Sequence, residues 1–280
     1  MKRHGIALAG PLALVLAVFF LAPALLTLPT GFREYVPGQG ITDGSWTLDA
    51  YRDIVSDDFY REVLWRTLGL GLAVTVICLL LGYPLAWMIA RGPARLRMPL
   101  LLLVIFPMML NLVVRSFGWI ALLANRGLIN NLLTDLGLIA TPVKMMFNLT
   151  GMLVGLVHIY LPFMVLMLVA AIQNVPRDVE AAAMTLGSTR RHVFLAITLP
   201  LTAPGILAGS ILVFVLTISA LVTPRMLGGP TYRVMATLIY DEYMQMLDWP
   251  TGSALAFVLT AIALAIIWAA NRVARRWAAT

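Results

Sequence analysis

Along this chain the polar residues gather in clusters, and between the clusters the sequence stays apolar for about twenty residues at a time. Six stretches are of this kind: roughly 7–28, 64–90, 99–123, 149–172, 205–222 and 253–270. None holds an acidic residue. The hydrocarbon core of a bilayer is about 30 Å thick and needs ~20 apolar residues to cross as a helix. Lipid offers no partner to backbone N–H and C=O groups, so each stretch is expected to satisfy them internally as a helix. A membrane β-barrel would need segments alternating between lipid and lumen, and runs such as "LLLLVIFPMML" (residues 100–110) do not alternate. The pattern predicts an all-α polytopic membrane protein with six transmembrane helices, a single membrane domain over residues 1–280.

Composition agrees. With 61% hydrophobic and 12% charged residues and a mean hydropathy of +0.91, the chain is too apolar for a water-soluble domain. The first stretch has the basic start (Lys2, Arg3) and the "APA" (22–24) of a secretory signal, but its uncharged run exceeds a signal's apolar region, so it reads as a retained helix. Cys78, the single cysteine, lies inside a stretch, rules out an internal disulfide and reads as a small core hydrophobe.

Charge then orients the chain. Basic residues in short loops mark the cytoplasmic side. With the amino end inside, the cytoplasmic pieces hold Lys2, Arg3, Arg91, Arg95, Arg97, Arg177, Arg190, Arg191, Arg272, Arg275 and Arg276 against two acids, Asp178 and Glu180. Both termini are expected inside. The net charge of +7 thus reports topology rather than nucleic-acid binding. The outer loop, about 29–62, is acidic. Within it "WTLDAYRDIVSDDFYREVLW" places Leu48, Tyr51, Ile54 and Val55 on one helical face, either as a helix lying on the outer surface or as a docking surface.

Ion-coupled carriers commonly use intramembrane acids as relays, and there is no Asp or Glu between Glu62 and Asp135, between Asp135 and Asp178, or between Glu180 and Asp241. Neither lysine, Lys2 or Lys144, follows a phosphate-cradling loop, so ATP chemistry would have to come from another polypeptide. Neither G-x-S-x-G nor H-E-x-x-H is present to support an intramembrane hydrolase. A self-sufficient secondary carrier or channel stays open, because broken helices can bind sodium through backbone carbonyls.

The segment "EAAAMTLGSTRRHVFLAITLPLTAPG" (180–205) is the exception to the greasy pattern. Pro176 ends the fourth span, and "RDVEAAAMTL" carries helix formers with Asp178 and Glu180 in the first turn. Gly187 supplies a positive-φ closure, Ser188 or Thr189 can cap a second helix, and Pro200 and Pro204 are expected to break that helix and turn the chain into the fifth span. The product is a stiff elbow with an alanine face. These residues resemble the EAA loop of the permease subunits of bacterial binding-protein-dependent ABC importers, with Ile197, Leu199 and Pro200 at the family's offsets from Gly187. In that register Ala181, Ala182 and Ala183 take the E-A-A positions and Glu180 falls one residue early. "TPRMLGGP" and "DWPTGSA" are similar to the spermidine/putrescine subfamily, which handles polyamines, opines and other small charged solutes.

The resemblance implies a type I ABC importer permease fold, a cytoplasmic coupling loop over about 174–204, and ATPase contact through Glu180, Ala181, Ala182, Ala183, Gly187, Ile197, Leu199 and Pro200. It further implies an ABC ATPase dimer that holds ATP and Mg while this chain binds no cofactor and catalyses nothing, a second and different permease subunit, a periplasmic solute-binding protein, and residence in the bacterial inner membrane.

Polar residues on the spans are the candidate pathway residues. Asn111 and Arg115, four apart, are expected on one face of the third span, with snorkelling to the outer headgroups as the alternative for Arg115. Tyr83 precedes Pro84, a kink site. His158, Tyr160, Thr217 and Ser219 are the rest, each with a helix-packing alternative. Asp241 and Glu242, in an outer loop over 223–249, can attract a cationic cargo or be plain solvated charge.

Overall fold

The computed structural model describes residue 11 and residues 13–277; Lys2, Arg3 and the first residues of the first apolar stretch lie outside them. In chain order the elements are α1 (Ala22–Thr27), β1 (Arg33–Val36), β2 (Gly40–Trp46), α2 (Asp49–Ser56), α3 (Asp58–Arg91), α4 (Ala94–Ile105), α5 (Leu112–Leu123), α6 (Leu128–Asp135), α7 (Leu149–Gln173), α8 (Arg177–Thr185), α9 (Arg190–Val193), α10 (Leu199–Ile218), α11 (Met235–Asp241) and α12 (Trp249–Trp277). Among the described residues, six helical stretches are long and apolar enough to cross a membrane: Ala13–Phe32, Asp58–Arg91, Leu112–Asp135, Leu149–Gln173, Arg190–Ile218 and Trp249–Arg272. Many of their large apolar side chains, among them Phe19, Leu26, Leu80 and Trp268, point outward, as lipid as a solvent allows.

The third and fifth spans differ from expectation. The apolar run 99–123 is not one helix. A 3₁₀ turn (Phe106–Met109) follows α4, Leu110 is extended at ψ 140°, and Asn111 restarts the chain as the cap of α5. Pro107 has no N–H for a helical ladder, and the Asn111 side chain accepts the Val113 N–H at 2.8 Å. In the fifth span Pro200 and Pro204 do not break the helix, which runs Arg190–Ile218. A wide π turn (Phe194–Thr198), closed by the Leu199 N–H on the Phe194 carbonyl, precedes Pro200. A proline ring clashes with the carbonyl four residues back, and the widened turn absorbs the clash.

The described residues form two compact units. One comprises the chain up to Leu64 together with Met235–Ile262. It contains an antiparallel hairpin unforeseen in an all-α reading, pairing Val36 with Gly40 and Tyr35 with Ile41 around a turn where Gly38 and Gly40 take φ of +86° and +81°. Tyr35 donates to the Met246 carbonyl at 2.9 Å, and the Phe32 and Tyr51 rings stack 4.8 Å apart. In α2 only Ile54 of the expected apolar face is buried, while Leu48 and Val55 are more than 60% exposed.

The other unit, Trp65–Val234 with Ala263 onward, holds the main core. Leu70, Val74, Cys78 and Ile89 of α3 pack with Met152, Leu156, Met164, Leu168 and Ile172 of α7 and Val213 of α10. Cys78 is fully buried, as read from its surroundings. Close approach of α7 and α10 depends on small residues. A Cβ on Gly205 would overlap the Ala171 methyl, and one on Gly209 would sit 3.0 Å from the Met164 sulfur. Two glycines four apart on one helix are the usual device for bringing membrane helices together.

Candidate functional site: the elbow between the fourth and fifth spans

The elbow is assembled by local rules. Pro176, extended at ψ 130°, precedes α8, whose first turn carries Asp178 and Glu180. The helix closes on Gly187, which takes the positive φ expected of it, +92°. The Gly187 N–H donates to the Met184 carbonyl at 3.0 Å and the Ser188 N–H to the Ala183 carbonyl at 3.1 Å, a paired Schellman closure. Of the two capping candidates Thr189 is used, its hydroxyl accepting the His192 N–H at 3.3 Å. Four residues, 186–189, thus link α8 to α9.

Leu186, at the apex, is 88% exposed, with Val179 and Met184 also open. Ala181 and Ala182 are exposed and Ala183 is half-buried. The tip thus combines open apolar side chains, Leu186 foremost, with exposed Thr185, Thr189 and Arg190. Ile197 and Leu199 are half-buried in and after the π turn, and Pro200 is exposed.

Glu180 does not join that tip. Its Oε1 accepts from Arg91 Nη2 at 3.2 Å and from the Thr198 hydroxyl at 2.9 Å. The Glu180 and Arg91 side chains are only 15% and 10% exposed. The same Arg91 Nη2 donates to the Val175 carbonyl at 2.8 Å, while Nε is shielded without a partner. Sequence reasoning missed Arg91, Thr198 and Leu186. Arg91 read only as a topology marker, and the signal for Leu186 was a large apolar residue directly before the closing glycine.

The candidate pathway residues are mostly satisfied within the chain. Asn111 is a cap and not a helical face-mate of Arg115. Tyr83 meets the Thr202 hydroxyl at 3.1 Å, and its helix α3 continues through Pro84. His158 Nδ1 accepts from Trp119 Nε1 at 3.2 Å, and Tyr160 donates to the Leu216 carbonyl at 2.9 Å. Thr217 and Ser219 donate to carbonyls of their own helix, at 2.7 and 2.9 Å. These contacts match the helix-packing alternative. Asp241 ends α11 and Glu242 opens a π turn (Glu242–Met246), so the stretch read as an open outer loop is largely helical. Arg115 stands apart: its Nε and Nη1 are shielded from solvent by this chain and have no hydrogen-bond partner, which is not the geometry of a snorkelling side chain.

Among the described residues, six apolar spans with a helical elbow between the fourth and fifth describe a polytopic membrane protein. Over residues 82–279 the chain matches the family described as binding-protein-dependent transport system inner membrane component, and it belongs to that family. It is a multi-pass permease subunit of an ABC importer in the inner membrane. It is similar to the spermidine/putrescine transport system permease protein PotB of Salmonella typhimurium (strain SL1344), 35% identical over 260 residues covering 92% of this chain and 90% of the relative. The PotB of Escherichia coli K12 is 34% identical, covering 92% and 94%. The inner membrane ABC transporter permease protein YdcU of E. coli K12 is 30% identical, covering 93% and 87%. Among solved structures, a bacterial alginate ABC transporter in complex with an alginate pentasaccharide-bound periplasmic protein superposes with a TM-score of 0.76 at 21% identity, over 98% of this chain and 96% of that one. The MetNI methionine ABC transporter in an inward-facing conformation gives 0.61 at 15% identity, over 78% and 95%. At those identities the likeness is one of fold.

Proposed function

We propose that this chain is half of the translocation pathway of an ATP-driven importer of small amine-bearing solutes of the polyamine kind. It works with a second, different permease subunit, a pair of ATPase subunits that hold ATP and Mg, and a periplasmic binding protein that delivers the solute. Both termini lie in the cytoplasm, so the elbow meets the ATPase there, presenting Ala181, Ala182, Leu186 and Gly187. The chain itself performs no chemistry. The observation that carries the reading is the elbow: a Schellman-closed turn that leaves Leu186 open at its tip, in a chain without a phosphate loop. The two PotB relatives support the solute class.

The test is putrescine uptake into vesicles. The permease pair with its ATPase and loaded binding protein is expected to accumulate putrescine only with ATP inside the ATPase compartment. Uphill accumulation by this chain alone, insensitive to ATP, would make it a carrier and end the proposal.

A further inference from the structure

Glu180 was expected to face the ATPase, yet its carboxylate points inward. We propose that Glu180, Arg91 and Thr198 form a bolt that fixes the base of the elbow and divides the thrust arriving at its tip between the second and fifth spans. The inference rests on the importer reading above.

Glu180 lies in the first turn of α8, about 9 Å from Leu186 at ~1.5 Å per residue. The load at the apex therefore acts on a lever, and what happens depends on how the base is held. One oxygen of Glu180 holds it twice. Arg91 is the last residue of α3, the helix of the second span, so the ion pair ties the elbow to that span's end. Thr198, 1% exposed, closes the π turn that leads into α10, so the hydroxyl bond ties the elbow to the fifth span. Arg91 also holds the Val175 carbonyl directly ahead of Pro176. The segment from 180 out to 187 and back to 198 is thus a closed triangle with its base bonded across 18 residues of sequence. A triangle does not shear as an open loop does, and a push on its apex reaches two spans at once.

Arg91 makes both contacts through one nitrogen rather than as a two-pronged fork. Lysine should therefore replace it better than any neutral residue. This separates positioning from packing, since Arg91→Lys and Arg91→Gln differ mainly in charge.

The experiment uses the complete importer in vesicles with Glu180→Gln, Arg91→Gln and Arg91→Lys. Putrescine moved per ATP hydrolysed is expected to fall at least five-fold in both glutamine variants and less than two-fold in Arg91→Lys, with the ATPase subunit retained within two-fold throughout. Wild-type coupling in both glutamine variants overturns the bolt. So does a ten-fold loss of ATPase retention confined to Glu180→Gln, which would make Glu180 a partner contact. A second measurement needs neither motor nor cargo: a nitroxide on Leu186→Cys, with Cys78 replaced by alanine. Its spectrum is expected to sharpen in the glutamine variants and to stay broad in Arg91→Lys; identical line shapes overturn the proposal. If the wild-type complex shows no ATP-dependent uptake, the importer reading fails while the nitroxide still judges the bolt.

Discussion

Two arginines of this chain hold solvent-shielded nitrogens in contrasting surroundings. Arg91 has a carboxylate and a carbonyl within reach, whereas two nitrogens of Arg115 have no acceptor at all. A shielded, unpaired polar group costs about 1–3 kcal/mol. Arg115→Met is therefore expected to raise the thermal midpoint of the purified subunit while lowering uptake by the assembled importer. A lowered midpoint, or unchanged uptake, would show that the guanidinium is not retained for transport at the expense of stability. For the buried pair the direction is reversed. Removing one partner leaves the other charge uncompensated, at about 3–5 kcal/mol, so Glu180→Gln should also lower the midpoint. Gly187 is a third case. A Cβ there meets nothing within 4 Å, so the obstacle to substitution is the backbone alone. Gly187→Val at φ +92° should cost about 1–2 kcal/mol and cut coupled uptake, and Gly187→Asn should do less harm because asparagine tolerates that region. Equal uptake by the two variants would refute the backbone argument.

At the scale of elements, the number of spans was written in hydrophobic length and the elbow in its glycine, caps and acids, so both could be read directly. The break at residues 106–111 could not be read from hydropathy, because both sides of it are apolar; only Pro107 and Asn111 mark it. Pro200 misled in the other direction. The rule that proline breaks a helix assumes an α turn ahead of it, and here a π turn took up the misfit. Hydropathy also says nothing of helix separation. The α7–α10 contact rests on Gly205 and Gly209, and Gly205→Ala should destabilise the subunit by about 1–3 kcal/mol through overpacking against Ala171, measured by thermal unfolding in detergent. A neutral effect would mean that the two helices have slack.

For the molecule as a whole, what stayed hidden is long-range. Glu180 and Arg91 are 89 positions apart, and no local pattern tells which way a helical carboxylate faces until the two ends are brought together. The pathway candidates were chosen for polarity on apolar helices, and most of that polarity is consumed by bonds such as Tyr160 to Leu216 and Trp119 to His158. The family match runs over residues 82–279, which include the elbow, and the relatives cover nearly all of the chain.

The bare leucine at position 186 also bears on how much of this protein a cell can tolerate. With Val179 and Met184 also open on the same elbow, it leaves apolar surface uncovered in the isolated chain. A copy made in excess of its companions would display that sticky point to chaperones and proteases for as long as it stayed single. Under the proposed seating on an ATPase, balanced synthesis of the subunits would keep that tip covered.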